Sequence, residues 1–324
     1  MDDTILCVDV GTTNTRAWLT EGAQVLSRRQ ASVGARDTAR DGHPGTLARA
    51  LRHLLADLCG ARAAAAPRRI LAAGMISSPQ GLCEVPHLLA PAGLAELAAA
   101  SREQVLPQIS DLPFLFVPGV RTRSRPGVEG ISGRDVMRGE ETLCLGLARL
   151  GLLPPGAALL SLGSHWKLIR LDLEGRVLFS ITSIAGELLQ AVRAQTILAS
   201  ALPDGGLEQA DATQVRRGLQ EARRAGLARA LFCVRLLELA QETSPAERLS
   251  FALGALIGAD LGHLGAALDT GTAVTIAGGE KTGGAWALAL ADAGHPVRSL
   301  SAAQVETGLL AGLHAIHAAR VATA

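Results

Sequence analysis

The sequence contains no tyrosine, and aromatic residues make up only 2% of it. Proteins that stack nucleic-acid bases on side-chain rings need more aromatics than this, so base stacking is excluded as a main binding mode. A net charge of +1 leaves no large basic surface for nucleic acids or anionic membranes. What is present, 48% apolar and 19% charged residues, is typical of a soluble folded protein.

Cysteine patterns that stabilise secreted proteins or hold zinc are also missing. The five cysteines lie far apart, and an odd number without CxxC spacing argues against a disulfide framework or a zinc site. No uninterrupted apolar run is long enough to cross a membrane, and the N-terminus leads into a predicted strand without a signal sequence. We therefore expect a soluble cytoplasmic protein with reduced thiols.

The 324 residues suffice for two domains of ordinary size. Strand-forming runs followed by helices open each half, and Leu152–Gly156 (LLPPG) breaks the pattern between them. We predict two α/β domains, residues 1–153 and 154–324. The predicted strands are 4–10, 15–20, 24–33, 69–74, 114–117, a hairpin at 157–172 and 272–277; the predicted helices are 45–62, 136–150, several within 187–268, 283–293 and, after a last strand, one at the C-terminus.

The most informative stretch is Ile5–Trp18 (ILCVDVGTTNTRAW), a strand-forming run that ends in Asp9 and is followed by a tight polar turn. Gly11 lets the backbone approach a ligand closely, and Thr12 and Thr13 add hydroxyl groups beside backbone N–H donors. Asp9 supplies a hard oxygen that can hold Mg²⁺ through water. The pattern predicts a hairpin turn that binds phosphate, although an ordinary polar hairpin turn has the same appearance.

A second stretch of this kind, Leu162–Lys167 (LGSHWK), opens the other half of the chain. Gly163 and Ser164 stand where the glycine and threonines stand in the first turn. Two such turns, one per half, could grip a polyphosphate from both sides of a cleft. Lys167 would add a positive charge there, or it is a solvated residue at a strand edge. We assign no role to His165.

Charged residues precede the predicted helix at 136–150, where charge is otherwise sparse. Capping of a helix start explains one carboxylate, but Glu140 and Glu141 exceed that need. The adjacent Arg138 could bind a substrate carboxylate. Phosphoryl transfer to an alcohol needs a carboxylate that accepts the hydroxyl proton; we favour Glu140, with Glu141 as the alternative.

Gly278 and Gly279 follow one predicted strand and precede a helix. They would let the backbone pass close to an adenosine, although Gly-Gly turns between strands and helices are common. Because aromatic residues are few, we expect apolar side chains and backbone to hold the adenine.

The order of these motifs resembles the actin-like ATPase superfamily of sugar kinases and, within it, the 2-dehydro-3-deoxygalactonokinase family. The resemblance implies an α/β fold with two actin-like (ribonuclease H-like) domains flanking a cleft for nucleotide and substrate. It also implies a kinase of galactonate degradation that uses ATP and Mg²⁺ to phosphorylate the C6 hydroxyl of 2-dehydro-3-deoxy-D-galactonate. The motifs that carry it are DVGTTNTRAW (9–18), AGMISSPQGL (73–82), VMRGEET (136–142), LGSHWK (162–167), AGEL (185–188) and AGG (277–279).

The same resemblance implies that residues 75–81 line the sugar-acid site. This loop departs from the family pattern, which has asparagine near Pro79, and a proline removes a backbone donor. Related sugar kinases also place aspartate where this chain has Glu140. The residues assigned to the sugar-acid site are Arg16, Met75, Ser77, Ser78, Gly81 and Arg138.

Two alternatives stay open: a kinase of another sugar acid or polyol, and an actin-like protein that binds ATP without transferring phosphate. The paired acids and Arg138 favour the enzyme, because a binding module needs no acid pair. The residues fix neither the stereochemistry of the sugar acid nor the oligomeric state, so a homodimer stays open, and Glu187 has no assigned role.

Overall fold

The computed structural model describes residues 4–60, 66–125, 127–203, 207, 209–279 and 282–323. The chain forms two compact units. The first comprises Met1–Pro155, Leu171–Ser180 and Glu306–Ala324, and the second comprises Gly156–Arg170 and Ile181–Val305. The two units therefore interleave along the chain. The domain bounds, residues 1–153 and 154–324, stay a prediction, and so does an active site in a cleft.

The first unit is built on a six-stranded sheet with the order β3-β2-β1-β4-β7-β6. Strand β1 pairs antiparallel with β2 and parallel with β4, and all of its residues are buried. Helix α2 places leucines in the adjoining core at helical spacing, including Leu47, Leu51 and Leu58. The strands of this unit are β1 (Thr4–Val10), β2 (Thr15–Glu21), β3 (Gln24–Ala31), β4 (Ile70–Gly74), β5 (Leu88–Leu89), β6 (Arg102–Leu106), β7 (Ser110–Phe116), β8 (Val120–Thr122) and β9 (Asp135–Met137); the helices are α1 (Ala35–Asp41), α2 (Gly45–Gly60), α3 (Leu94–Ala100) and α4 (Glu140–Arg149).

The VMRGEET motif begins in a small sheet of the first unit, which has the order β5-β8-β9. Strand β9 ends at Met137, and α4 begins at Glu140. Helix α4 lies close to the C-terminal helix, where a Cβ atom on Gly312 would lie 2.0 Å from the carbonyl oxygen of Thr142. This close approach fixes the position of the helix whose first turn contains the paired acids.

A five-stranded sheet in the second half of the chain repeats part of the arrangement of the six-stranded sheet. Its order is β12-β11-β10-β13-β14, with β10 antiparallel to β11 and parallel to β13. A hairpin thus again stands beside a parallel strand. The elements of the second half of the chain are β10 (Ala158–Leu162), β11 (Trp166–Leu171), β12 (Val177–Ser183), α5 (Ala185–Gln195), α6 (Ala212–Ala225), α7 (Leu227–Leu239), α8 (Pro245–Gly265), β13 (Val274–Gly278), α9 (Gly283–Asp292), β14 (Val297–Ser299) and α10 (Ala302–Thr323).

Most predicted elements are confirmed to within a few residues, including both hairpins and the helix predicted at 283–293. The predicted helix start at residue 136 is wrong. Asp135–Met137 instead pair as a strand with Val120–Thr122, and Gly139, with φ of 103°, separates that strand from α4. Residues 61–62 of the helix predicted at 45–62 lie outside the described residues.

Helices α8 and α10 are the longest, with 21 and 22 residues. Neither these nor any other helix among the described residues is long and apolar enough to cross a membrane.

Candidate active site

The first hairpin turn is held by the start of α1. Gly11 N–H donates to the Asn14 carbonyl at 2.8 Å, which closes the turn. The N–H groups of Ala35 and Arg36 donate to the carbonyls of Gly11 and Thr12 at 3.1 and 2.9 Å. Both carbonyls therefore accept hydrogen bonds from α1. The predicted phosphate-binding residues Gly11, Thr12 and Thr13 are partly exposed.

Asp9 stands at the end of β1, opposite Arg16 on β2. Arg16 Nη2 donates to Asp9 Oδ2 at 2.6 Å, and the two side chains are 48% and 12% exposed. The other oxygen, Oδ1, lies beside two glycines. A Cβ atom added to Gly74 would lie 2.9 Å from Oδ1, and one added to Gly139 would lie 3.8 Å from it. One carboxylate oxygen is thus paired with arginine, and the other borders residues that have no side chain.

Arg138 joins the loop at residues 75–81 to the segment that follows it. Its Nη1 donates to Ser77 Oγ at 3.0 Å, and its Nη2 donates to the Val85 carbonyl at 2.7 Å and lies 3.3 Å from His87 Nδ1. Burial lowers the pKa of Arg138, an effect that the negative charges of Glu141 and Glu84 partly offset. The guanidinium therefore lies where water screens a charged ligand only weakly.

The two serines of the loop use their hydroxyl groups inside the protein. Ser77 is fully buried, and its Oγ donates to the Val117 carbonyl at 2.8 Å. Ser78 is 3% exposed, and its Oγ donates to the Met75 carbonyl at 2.7 Å. Gly81 N–H donates to the Ser78 carbonyl at 2.9 Å and closes the loop. These bonds shape the loop, and the sugar contacts assigned to it stay predictions.

The paired acids at the start of α4 differ in their surroundings. Glu141 is 1% exposed, and its two carboxylate oxygens accept from Gly139 N–H at 2.8 and 2.9 Å. It caps the helix start, where negative charge is favoured by the helix dipole. Glu140, the first residue of α4, is half-buried and directly follows Gly139, which borders Asp9 Oδ1.

The second hairpin turn is held by α5 as the first turn is held by α1. Gly163 N–H donates to the His165 carbonyl at 3.2 Å, and Glu187 N–H donates to the Ser164 carbonyl at 2.8 Å. A Cβ atom on Gly186 would lie 2.3 Å from the Gly163 carbonyl oxygen. The same contact recurs in the first unit, where a Cβ atom on Gly34 would lie 2.5 Å from the Thr12 carbonyl oxygen.

A pocket of about 400 Å³ lies beside the second turn. Its wall is mostly apolar and includes Gly163 and Gly279. Lys167 is 6% exposed within β11, where its Cα pairs with that of Ser161. The residues that line the pocket are Leu162, Gly163, Trp166, Gly186, Leu189, Gln190, Arg193, Leu207, Leu249, Leu253, Gly279 and Thr282.

Glycines at two strand ends are functional candidates, and the sequence revealed only one of them. Gly74 and Gly278 end β4 and β13, with φ of 82° and 78°. A Cβ atom added to Gly74 would lie 2.4 Å from the Val10 carbonyl oxygen. One added to Gly278 would lie 2.5 Å from the Leu162 carbonyl oxygen. Gly278 was predicted from its Gly-Gly pair, whereas Gly74 has no such local signal.

Comparison with solved structures identifies the fold of this protein. A xylulose kinase structure from Lactobacillus acidophilus superimposes with a TM-score of 0.53 at 10% identity, covering 98% of this chain and 89% of that one. The chain therefore has the actin-like sugar-kinase fold that the sequence predicted.

Closer relatives narrow the class to one family. The 2-keto-3-deoxy-galactonokinase family model matches residues 9–316. A protein of Rhizobium meliloti (strain 1021), named as probable 2-dehydro-3-deoxygalactonokinase DgoK1, is 30% identical over 95% of this chain and 96% of its own. A Sinorhizobium meliloti crystal structure named for the same kinase has a TM-score of 0.74 at 28% identity, covering 96% and 97% of the two chains. The chain belongs to the 2-keto-3-deoxy-galactonokinase family, which confirms the predicted family and the predicted phosphotransferase class.

Proposed function

We propose that the protein transfers the γ-phosphoryl group of ATP to the C6 hydroxyl of 2-dehydro-3-deoxy-D-galactonate. The observation that carries this proposal is the family match over residues 9–316, which includes both turns, the loop at 75–81 and the VMRGEET motif. In this proposal the protein works in the cytoplasm, and its partners are small molecules. Galactonate degradation is the route in which this product would be used.

The nucleotide site that we propose in the second unit comprises the pocket and the turn beside it. Gly163 and Gly279 line the pocket, whose mostly apolar wall would suit an adenosine, and Ser164 follows Gly163 in the turn. The turn at Gly11–Thr13 presents the same backbone pattern in the first unit. Backbone N–H groups in turns of this kind can bind phosphate oxygens, although those of Gly11 and Gly163 close their own turns.

Asp9 fits a magnesium ion held through water. Mg²⁺ keeps several of its waters and commonly uses one or two protein carboxylates, so a single aspartate is sufficient. Among the described residues no group of three or more His, Cys, Asp or Glu side chains could hold a metal directly. Asp9 Oδ1, which borders Gly74 and Gly139, is the oxygen that would hold the hydrated ion. When bound, the ion would neutralise charge on the β- and γ-phosphates.

Glu140 is the base that we propose for the acceptor hydroxyl. As the C6 oxygen bonds to the γ-phosphorus, the bond from phosphorus to the β,γ-bridging oxygen breaks and ADP leaves. The hydroxyl proton passes to the Glu140 carboxylate. Glu141 is less suited to this role, because both of its oxygens accept from Gly139 N–H.

Arg138 is the residue that we propose for the carboxylate end of the sugar acid. A guanidinium has five N–H donors, and three of the contacts of Arg138 are to Ser77, Val85 and His87. These contacts hold its plane, which leaves the group oriented for a charged ligand. Met75 and Gly81 would define the same site from the loop, and Arg16 would lie at its edge beside Asp9.

The test is a substrate panel with purified protein, ATP and Mg²⁺. It contains 2-dehydro-3-deoxy-D-galactonate, its C4 epimer, a polyol and a neutral analogue without the carboxylate. ADP release and phosphorus NMR of the product are measured. We expect the galactonate derivative to have the highest kcat/KM and to carry phosphate on C6.

Each other outcome of the panel contradicts a different part of the proposal. Preference for the epimer or the polyol would overturn the substrate assignment alone. ADP release that does not depend on any acceptor would indicate a hydrolase. Tight ATP binding with no transfer to any acceptor would indicate a protein that binds nucleotide without catalysis.

A further inference from the structure

Another pocket lies in the first unit, beside the loop that connects β8 to β9. Its volume is about 480 Å³, a size that suits a small molecule. None of the residues that we assign to the sugar acid or the nucleotide is among those that line it, so the proposed reaction gives this pocket no role. The lining residues are Ala90, Thr122, Arg123, Ser124, Val128, Glu129, Gly130, Arg134 and Leu178.

The antiparallel register of β8 and β9 brings two arginines to this pocket. Thr122 is opposite Asp135, and Arg123 and Arg134 are the residues that continue the two segments beyond this pair. Both arginines line the pocket, and both are exposed. Like charges at facing positions of such a pair of strands repel each other, so the arrangement has an electrostatic cost.

No counter-charge within the described part of the chain offsets this repulsion. The side chains of Arg123 and Arg134 form no ion pair or hydrogen bond there. Glu129 lines the same pocket, but no ion pair joins it to either arginine. Two arginines and one glutamate leave the lining with a positive net charge.

A third guanidinium group of the same loop is buried. Arg125 is 7% exposed, and its Nε and Nη1 atoms are inaccessible to solvent and have no hydrogen-bond partner among the residues that the structure describes. The loop closes around this residue, because Val128 N–H donates to the Arg125 carbonyl at 3.1 Å. A cation withdrawn from water without a counter-charge is unfavourable, and its field is weakly screened. An anion bound at the pocket would offset the charge of all three arginines.

The polar groups of the pocket define the chemistry of a suitable anion. A guanidinium group binds phosphate through paired N–H donors, and two such groups suit the double negative charge of a phosphate monoester. An ionised glutamate only accepts hydrogen bonds, and a serine hydroxyl both donates and accepts, so Glu129 and Ser124 suit hydroxyl groups of the ligand. A bare anion would leave the Glu129 carboxylate without a donor and close to a like charge.

We propose that the pocket beside the β8–β9 loop binds a phosphate monoester that carries hydroxyl groups. Arg123 and Arg134 hold the phosphate, and Glu129 accepts from a hydroxyl group. Sugar phosphates belong to this class of compound. The inference goes beyond the proposed function and does not depend on it.

The test is calorimetric binding of glycerol 3-phosphate, which carries both a phosphate and hydroxyl groups. A saturating non-hydrolysable ATP analogue is present, so that phosphate sites of the nucleotide are occupied. We expect glycerol 3-phosphate to bind more tightly than sulfate, and glycerol not to bind. Arg123→Gln and Arg134→Gln should each weaken binding of glycerol 3-phosphate by roughly tenfold or more, because each removes hydrogen bonds between charged groups. Glu129→Gln should strengthen sulfate binding by about threefold, because it removes a like charge.

Arg52→Gln is the matched control, because it makes the same change of charge at an exposed position on α2. It should bind glycerol 3-phosphate as the wild type does. The ligand should also raise the Tm of the wild type and of Arg52→Gln, but not that of the double variant Arg123→Gln/Arg134→Gln.

Three outcomes would overturn the proposal. The first is wild-type protein that does not bind glycerol 3-phosphate, and the second is unchanged affinity in both Arg123→Gln and Arg134→Gln. The third is an equal loss of affinity in Arg52→Gln, which would show general attraction to positive charge instead of a site. If one of the single variants does not fold, the other decides by the same comparison with Arg52→Gln.

Discussion

Arg16 Nη2 donates to Asp9 Oδ2 at 2.6 Å, directly across the β1–β2 hairpin. The bond helps to fix the orientation of a carboxylate that is largely buried. Because Arg16 occupies one oxygen, Oδ1 is the atom directed toward Gly74 and Gly139. The arginine thereby prepares the site that we propose for hydrated magnesium.

Replacing Asp9 by asparagine tests this role. Asp9→Asn keeps the size of the side chain but removes the negative charge, so kcat at limiting Mg²⁺ should fall by roughly 100-fold or more. Steady-state rates across a magnesium titration measure the effect. Asp111→Asn, at an exposed position on β7, is the control and should behave like the wild type. Unchanged turnover of Asp9→Asn at limiting magnesium would reject the assignment.

Substitution of Glu140 should affect catalysis, whereas substitution of Glu141 should affect stability. Glu140→Gln should lower kcat by about two to four orders of magnitude with little change in KM for the sugar acid, as for loss of a positioned base. Glu141→Gln should instead lower the free energy of unfolding by about 1 kcal/mol, because it weakens a helix cap. Kinetics and urea denaturation of both variants check this. A mild Glu140→Gln with an inactive, stable Glu141→Gln would reverse the assignment.

Arg138 should show its effect in KM. Arg138→Lys keeps the charge but cannot reach Ser77 and the Val85 carbonyl in one plane, so KM for the sugar acid should rise by about tenfold or more. KM for ATP should stay within about twofold. A neutral analogue without the carboxylate should lose much less on this substitution. An equal loss for the acid and the neutral analogue would show that Arg138 only shapes the loop.

The glycines against the turns should be sensitive to one added methyl group. Gly186→Ala places a Cβ atom 2.3 Å from the Gly163 carbonyl oxygen, and Gly34→Ala places one 2.5 Å from that of Thr12. Backbone must shift in both, so affinity for an ATP analogue should fall by roughly tenfold or more. Gly262→Ala on α8 is the matched control. A Cβ atom added there would approach nothing within 4 Å apart from its chain neighbours and the backbone of its own helix, so this variant should bind the analogue normally. Normal affinity in all three variants would contradict the proposed phosphate contacts.

Stability should decrease in mild acid because of His314. This residue of α10 lies 3.0 Å from Thr20 Oγ1 and 3.8 Å from Cys7 Sγ, and burial lowers its pKa below the ordinary value of 6.5. The unfolded chain therefore takes up a proton near pH 6.5, whereas the folded chain takes it up only at lower pH. The contribution of His314 is fully present above pH 6.5 and is lost as the pH falls through that value toward its folded pKa.

Denaturation at pH 7.5 and 5.5 measures this loss. His314→Gln should reduce the pH dependence, whereas His53→Gln, at an exposed position on α2, should not. Cys7 does not contribute in this range, because burial raises the pKa of its thiol to about 12. An unchanged pH dependence in His314→Gln would assign the effect to other groups.

Local patterns account for the parts of the fold and site that the sequence predicted. Both hairpins were predictable because a strand, its turn and the returning strand are adjacent in the chain. The start of α4 was not, because residues 135–137 form a strand only by pairing with 120–122, at a distance in sequence. Short strands of this kind carry little signal of their own.

The chemistry of individual side chains was predictable only in part. Adjacent Glu140 and Glu141 are equivalent in sequence, and only the contacts to Gly139 N–H distinguish the cap from the proposed base. Ser77 was expected to face the sugar, but its hydroxyl donates to Val117, a residue far along the chain. Its role, like those of the other assigned site residues, stays a prediction.

Gly74 and Gly278 end equivalent strands and make the same contact with the neighbouring strand, so the two halves of the chain share one strand-end geometry. The segments that come after these glycines have diverged. After Gly74 the chain forms a short 3₁₀ helix, Met75–Ser77, and after Gly278 it leads through Gly279 toward α9. In the function that we propose, the segment after Gly74 contacts the acceptor and the segment after Gly278 contacts the nucleotide. A substitution in one segment would then change one specificity and leave the other, so the two could be altered independently.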